Sequence, residues 1–154
     1  MNKTINQFEL MLDEMVPLNS LEENKLTEPV EAGKWSISEI IAHLYAWDKY
    51  NLENMVPKMT PQSNLPAFPE HDPFNVKALQ SLEGKSAFEI IHMFLQTRKR
   101  LVAALSEVDK EVRFTIGTGK RAFSVESFTK IFVKHDAHHM KQIKEKLQTS
   151  NVNL

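Results

Sequence analysis

The sequence predicts an all-α fold, a four-helix bundle, and three observations carry that prediction. Apolar residues recur at helical spacing in four separate stretches. Serines stand at the start of three of them, twice as a full capping box. All four glycines fall in the segments between, where five of the seven prolines also gather in one connector.

The first helix covers residues 3–15, with Ile5, Phe8, Leu12 and Met15 on one side and Met11 and Val16 alongside. Pro17 ends it. The next twenty residues contain Pro29 and Gly33 and read as a connector with a short turn around Leu21–Leu26. Ser36-Ile37-Ser38-Glu39 then caps the second helix, and Trp35 can fold back onto Ile40 as a staple. That helix runs to about Met55 and stops before Pro57. Its buried stripe is Ile37, Ile40, Ile41, Leu44, Trp47, Asn51 and Met55. At about 100° per residue, His43 lies at the margin of that stripe, roughly 60° from Ile40 and 40° from Trp47.

Residues 57–84 make a long proline-rich connector, with no periodic pattern beyond a short turn near Phe74–Leu82. A connector of this length can travel the roughly 30 Å of a 20-residue helix, so the third helix can start parallel to the second. Ser86-Ala87-Phe88-Glu89 caps the third helix, whose face is Phe88, Ile91, Leu95, Val102 and Leu105 and whose end falls near Val108. Two extended pieces, Arg113–Ile116 and Lys120–Phe123, flank Gly117-Thr118-Gly119 and predict a short hairpin or extended excursion. Ser124 caps the fourth helix, which runs to about Gln148. The whole chain, 1–154, reads as one domain.

Composition narrows the function. Hydrophobic residues at 42% and charged residues at 25% suit a globular domain, and a net charge of −1 offers no basic stripe for nucleic acid. There is no cysteine, which excludes disulfides, thiolate ligands and a cysteine nucleophile. No apolar window reaches the length of a membrane span, and the N-terminus has no signal-peptide pattern. A cytoplasmic protein binding a small molecule, with no nucleic-acid or membrane partner, is the expectation.

Chemistry is concentrated in Phe132–Ile143. His135 and His139 project from one face of the fourth helix, one turn apart, in line with Phe128, Ile131 and Phe132, and with Gln142 following. Imidazoles inside an apolar stripe must be satisfied by hydrogen bonds or by a metal. If His43 faces this pair across the bundle, three imidazoles converge and leave a coordination position open, as catalytic metal sites do. His138 is a rival ligand or a flanking residue, because its i, i+3 spacing to His135 is also feasible. Gln142 is a candidate to orient a ligand, and Trp47 either packs in the core or lines a pocket. Asp48 reads as a solvated or rim carboxylate, His71 and His92 as surface residues. No Ser-His-Asp set, glycine-rich phosphate loop or carboxylate pair is visible.

Trp35-Ser36-Ile37-Ser38-Glu39-Ile40-Ile41-Ala42-His43-Leu44 and His135-Asp136-Ala137-His138-His139-Met140-Lys141-Gln142-Ile143 together resemble the two motifs of the DinB/YfiT-like superfamily of four-helix bundles. Met140-Lys141 stands where the best-known subgroup has arginine–glycine. The resemblance implies an up-down-down-up bundle, a divalent metal on His43, His135 and His139, and frequently a homodimer; imidazole ligands suit zinc, nickel, copper or iron, with zinc or nickel expected foremost. It also implies a metal-dependent hydrolase or a transferase that uses a low-molecular-weight thiol as cosubstrate. Alternatives from other classes are a bundle that sequesters a ligand or binds a partner without turnover, and a metabolite self-protection protein without an essential metal. The last is similar in His43-Leu44-Tyr45-Ala46-Trp47.

Overall fold

Each long helix begins where a side chain satisfies amides that the helix itself leaves free. In the computed structural model, which describes residues 2–151, the helices are α1 (Lys3–Met15), α2 (Glu23–Thr27), α3 (Ile37–Tyr50), α4 (His71–Ser81), α5 (Ala87–Ser106) and α6 (Val125–Asn151). The Asn2 side chain accepts from the Ile5 amide at 2.7 Å. Ser36 and Glu39 form the expected capping box of α3, and Ser86 and Glu89 that of α5. At α6, Ser124 and Ser127 exchange the same two bonds at 3.1 and 2.9 Å, serine taking the place of glutamate.

The seven positions expected to form the buried stripe of the second helix are all buried. The helix continues to Met55 as expected, but it widens to a π-helical turn at Asn51–Met55 and tightens to a 3₁₀ turn at Val56–Lys58. Pro57 has no N–H to return to the preceding turn, which accounts for the change of pitch there.

The core shows the topology directly. One apolar cluster joins Met11–Met15 of α1 with Ile37–Leu44 of α3, Ala87–Phe94 of α5, and Met140 and Ile143 of α6. The other joins Ile5 and Phe8, Trp47, Leu101–Leu105, and Val125–Phe132. At each end, therefore, α1 and α6 run one way and α3 and α5 the other: up-down-down-up. The long connector makes this order feasible by carrying the chain back the length of α3.

Three sequence expectations are refined. The connector contains an eleven-residue helix, α4, rather than a short turn. The hairpin arms meet at one antiparallel bridge, Phe114–Phe123, while Phe114–Ile116 (β2) pairs in parallel with Ser63–Leu65 (β1). The third-helix stripe is also rotated. Phe88 is 36% exposed, and the buried face is Ile90, Ile91, Phe94, Thr97, Arg98, Leu101, Val102 and Leu105.

The parallel pair pins the connector to the segment before α6, and Gly117 closes it. Its amide donates to Leu65 O at 2.8 Å with φ +59°, and a Cβ there would lie 3.0 Å from Ala67 Cβ and 3.2 Å from Ala67 Cα. Gly33 also has positive φ, +78°, but nothing lies within 4 Å of its Cβ position. Gly117→Ala is therefore expected to cost about 2–3 kcal/mol in urea unfolding, and Gly33→Ala only about 1 kcal/mol. Equal costs would show that the approach to Ala67 is not tight.

Candidate metal centre

Three imidazoles from two distant segments meet between α3 and α6. His43 Nε2 lies 2.9 Å from His135 Nε2, which lies 3.2 Å from His139 Nε2. One ligand atom from each ring falls within 4.8 Å of the other two. His43 is 5% and His139 8% exposed, and His135 is half-buried. The i, i+4 spacing on α6 sets the second distance. The capping box at Ser36, which fixes where α3 starts, and the Trp35 ring 5.1 Å from the His43 ring set the first.

The tautomers follow from the neighbours. Trp47 Nε1–H can only donate, and it lies 3.2 Å from Asn75 Oδ1, so that atom is an acceptor. The same oxygen lies 2.8 Å from His43 Nδ1, which must therefore carry the proton. The Nε2 lone pair of His43 then points into the cluster. Gln142 Oε1, 2.8 Å from His139 Nδ1, orients that ring in the same way. An outer partner on one ring nitrogen, fixing the other for coordination, is the usual support of a metal-binding histidine.

Electrostatics keep the rings neutral. Burial, opposed by the bond to Asn75, lowers the pKa of His43 to about 4. Burial and then repulsion from His139 and His43 lower that of His135 to about 3. Burial likewise lowers that of His139, against the bond it donates to Gln142. Neutral imidazoles are what a divalent cation requires: His43 and His139 turn Nε2 lone pairs inward, and His135 Nε2, whose proton bridges to them without a metal, presents its lone pair once that proton moves to Nδ1. Nitrogens about 2.0–2.1 Å from a tetrahedral zinc stand about 3.3 Å apart; two of the three pairs here lie at 2.9 and 3.2 Å, and all three atoms lie within 4.8 Å of one another. The donor set fits the group.

The other expected residues are placed as follows. His138 is exposed, its ring 5.0 Å from that of His139, and it is outside the converging set. Gln142 holds His139. Trp47 is buried, as a core residue would be, yet also forms a wall of a cavity beside His43 and His135. His71 and His92 are exposed, though His71 lies edge-on to Trp47 with centroids 5.3 Å apart.

Asp48 is not a rim carboxylate. It is 2% exposed and receives Arg98 Nε–H at 2.7 Å and an Arg98 Nη2–H at 3.1 Å. Arg98 also donates to both oxygens of Asp136, at 2.8 and 3.0 Å, and to the carbonyl of Phe8 at 3.0 Å. All five guanidinium N–H groups are thus used, and one side chain ties α1, α3, α5 and α6 together. Asp136 adjoins His135, so the clamp fixes the rotation of the helix that carries two of the three imidazoles. Sequence reasoning missed Arg98 and Asn75. Arg98 had a signal, a charged residue four positions after Phe94 and three before Leu101 on an apolar face; Asn75 had none.

The model of the DinB superfamily matches residues 7–143, and the chain belongs to that superfamily. No curated protein sequence matches the chain. Among solved structures it is similar to YfiT from Bacillus subtilis, described as a probable metal-dependent hydrolase with an unusual four-helix bundle topology. The two share 18% identity over 97% of this chain and 86% of that one, with a TM-score of 0.64, a likeness of fold.

Proposed function

We propose that this member of the DinB superfamily is a metal-dependent enzyme acting on a small molecule, with His43, His135 and His139 as the protein's ligands to one divalent cation. The observation that carries the reading is the convergence of three Nε2 atoms, with two of the opposite ring nitrogens held by amide oxygens. A cation bound there supplies Lewis acidity, lowering the pKa of a nucleophile brought to it and polarising an electrophile. Asn75 and Gln142 keep protons on Nδ1 of their partner rings, so that the coordinating nitrogens do not rotate away. Phe132 and Trp35 pack against the histidines and limit the water around them.

Hydrolysis is the first reading, in line with the description of YfiT. Thiol transfer is the second, and one observation favours it. Among the described residues no carboxylate lines either cavity beside the histidines, so none of them places an acidic side chain there as a general base for water. The chain has no cysteine, and any sulfur nucleophile would arrive with a cosubstrate.

The test is metal content, then turnover. Chelator-stripped protein incubated with zinc or nickel and desalted is expected to retain about one equivalent, as a three-imidazole site should. Less than about a tenth would remove the proposal. With the loaded protein, a panel of esters, amides and alkylating electrophiles is then assayed with and without an added thiol. Turnover without thiol selects hydrolysis, thiol-dependent turnover selects transfer, and one equivalent of metal with neither points to sequestration.

A further inference from the structure

We infer that the cavity on the His43–His135 side of the cluster seats a compact substrate whose apolar, aromatic part enters the protein and whose carboxylate stays at the rim. The cavity measures about 320 Å³, and its apolar walls are Trp47, Phe68, Ile131 and Phe132. At the roughly 30 Å³ that a water occupies in the liquid, it holds about ten non-hydrogen atoms, the lower end of ligand-pocket size.

The walls are built before any ligand arrives. Trp47 is fixed by its bond to Asn75 and by the Phe74 ring, 4.4 Å away between centroids. Phe68 stacks on Phe128 at 6.1 Å and meets Phe132 edge-on at 5.9 Å. The strand pair that ends at Leu65 and Ile116, with the Gly117 amide on Leu65 O, anchors the chain just before Phe68. Ile131, 36% exposed on α6, is one of the large apolar side chains left in contact with solvent, and it borders this opening.

The charge at the opening has one sign. Among the described residues, the titratable side chains lining the cavity are His43, His71, Lys134 and His135, with no carboxylate. Glu70 and Asp72 flank His71 in sequence but do not line it. Lys134 is exposed and has no part in the ion pairs formed by the described residues. An ammonium and an imidazole at the mouth of an aromatic cavity orient an anion there while the apolar end is desolvated. The opposite side of the cluster differs. There a space of about 230 Å³ at His139 and Gln142 joins a larger cleft lined by charges of both signs, Glu31, Lys34, Glu145 and Lys146.

That the occupant is a substrate rests on the metal-enzyme reading above. That the cavity binds such a molecule does not, so binding is measured by titration calorimetry in chelator-stripped, full-length protein, where no cation can capture the carboxylate. The probes are 3-phenylpropanoate and its neutral amide. The acid is expected to bind at least about tenfold tighter than the amide. Lys134→Gln should bring the acid to within about twofold of the amide and leave the amide unchanged. Ile131→Trp, which fills the mouth from an exposed position, should weaken both by more than about tenfold, with thermal melting confirming that the variant folds. Equal affinity of the two probes in the wild-type protein, no saturable binding of either, or full binding by Ile131→Trp would each overturn the inference. Binding with failure of the protein to retain zinc would leave the cavity standing and remove the enzyme.

Discussion

Arg98→Ala is expected to cost the protein about 3–5 kcal/mol of folding free energy, a large part of the 5–15 kcal/mol that a domain of this size typically has. The residue lies 1% exposed at the junction of the two apolar clusters, its guanidinium carbon 3.7 Å from the centre of the Phe8 ring. Removing it leaves a cavity and two buried carboxylates without a cation, and takes from the Phe8 carbonyl the donor it has beyond its own helix. The stranding of the carboxylates is the largest effect, because a buried charge without its partner is costly, even where the intact pair contributes little net. Arg98→Lys keeps the charge, but three donors cannot serve five acceptor contacts in a planar fork, so it should recover only part of the loss.

The pH dependence of that loss identifies its cause. In the wild-type protein burial already raises Asp48 to about 6, against the pull of Arg98, and raises Asp136 in the same direction. A carboxyl whose folded pKa lies above its unfolded value stabilises the fold while protonated and loses that contribution as pH rises through the folded value. Without Arg98 both folded values rise further. The stability difference between wild type and Arg98→Ala should therefore be smaller at about pH 5 than at about pH 7.5, measured by urea unfolding at both. The histidines are common to both proteins and cancel. A pH-independent difference would mean that the cavity, and not the stranded carboxylates, carries the cost.

How much of this was legible beforehand depends on whether a residue's role is set by its own helix or by another. The stripe from Ile37 to Met55 was readable because each residue meets the same core that its spacing points to. His135 and His139 were readable because i, i+4 geometry is local. Arg98 sits on an equally regular stripe, but its meaning lies in Asp48 and Asp136, 50 and 38 positions away, so the stripe was drawn through Phe88 and Leu95 instead. Asn75 was hidden for a different reason. The buried residue of α4 is Ala78 alone, and a helix with one buried side chain has no apolar period to betray it. The strand pairing of Ser63–Leu65 with Phe114–Ile116 is three residues long and spans about fifty positions, too short for alternation to register.

His139→Ala is expected to lower zinc or nickel affinity by more than about a hundredfold, and Asn75→Leu by about ten- to hundredfold, measured by competition with a chromophoric chelator. The order follows from what each removes. The first deletes a donor; the second leaves three donors but frees the His43 ring, whose Nδ1 proton then has no acceptor at 2.8 Å. Asn75→Leu also unpairs Trp47 Nε1; His138→Ala, which removes a ring beside His139 but outside the converging set, should stay within about twofold of wild type. Affinity should also hold in mild acid. Exposed imidazoles near 6.5 would begin to lose a metal to protons below about pH 7, whereas His43 at about 4 and His135 at about 3 keep their lone pairs well below that. The metal-free protein should show the linked effect in its stability. A histidine whose folded pKa is depressed binds its proton more readily unfolded, so the His43 contribution to stability is full above about 6.5 and is lost as pH drops towards about 4, opposing that of the raised carboxyls Asp48 and Asp136. Zinc affinity at about pH 5.5 within roughly threefold of that at about pH 7.5 is the expected result. A steep decline between about pH 7 and 6 would mean that water reaches all three rings, and that burial is not what keeps them ready for a cation.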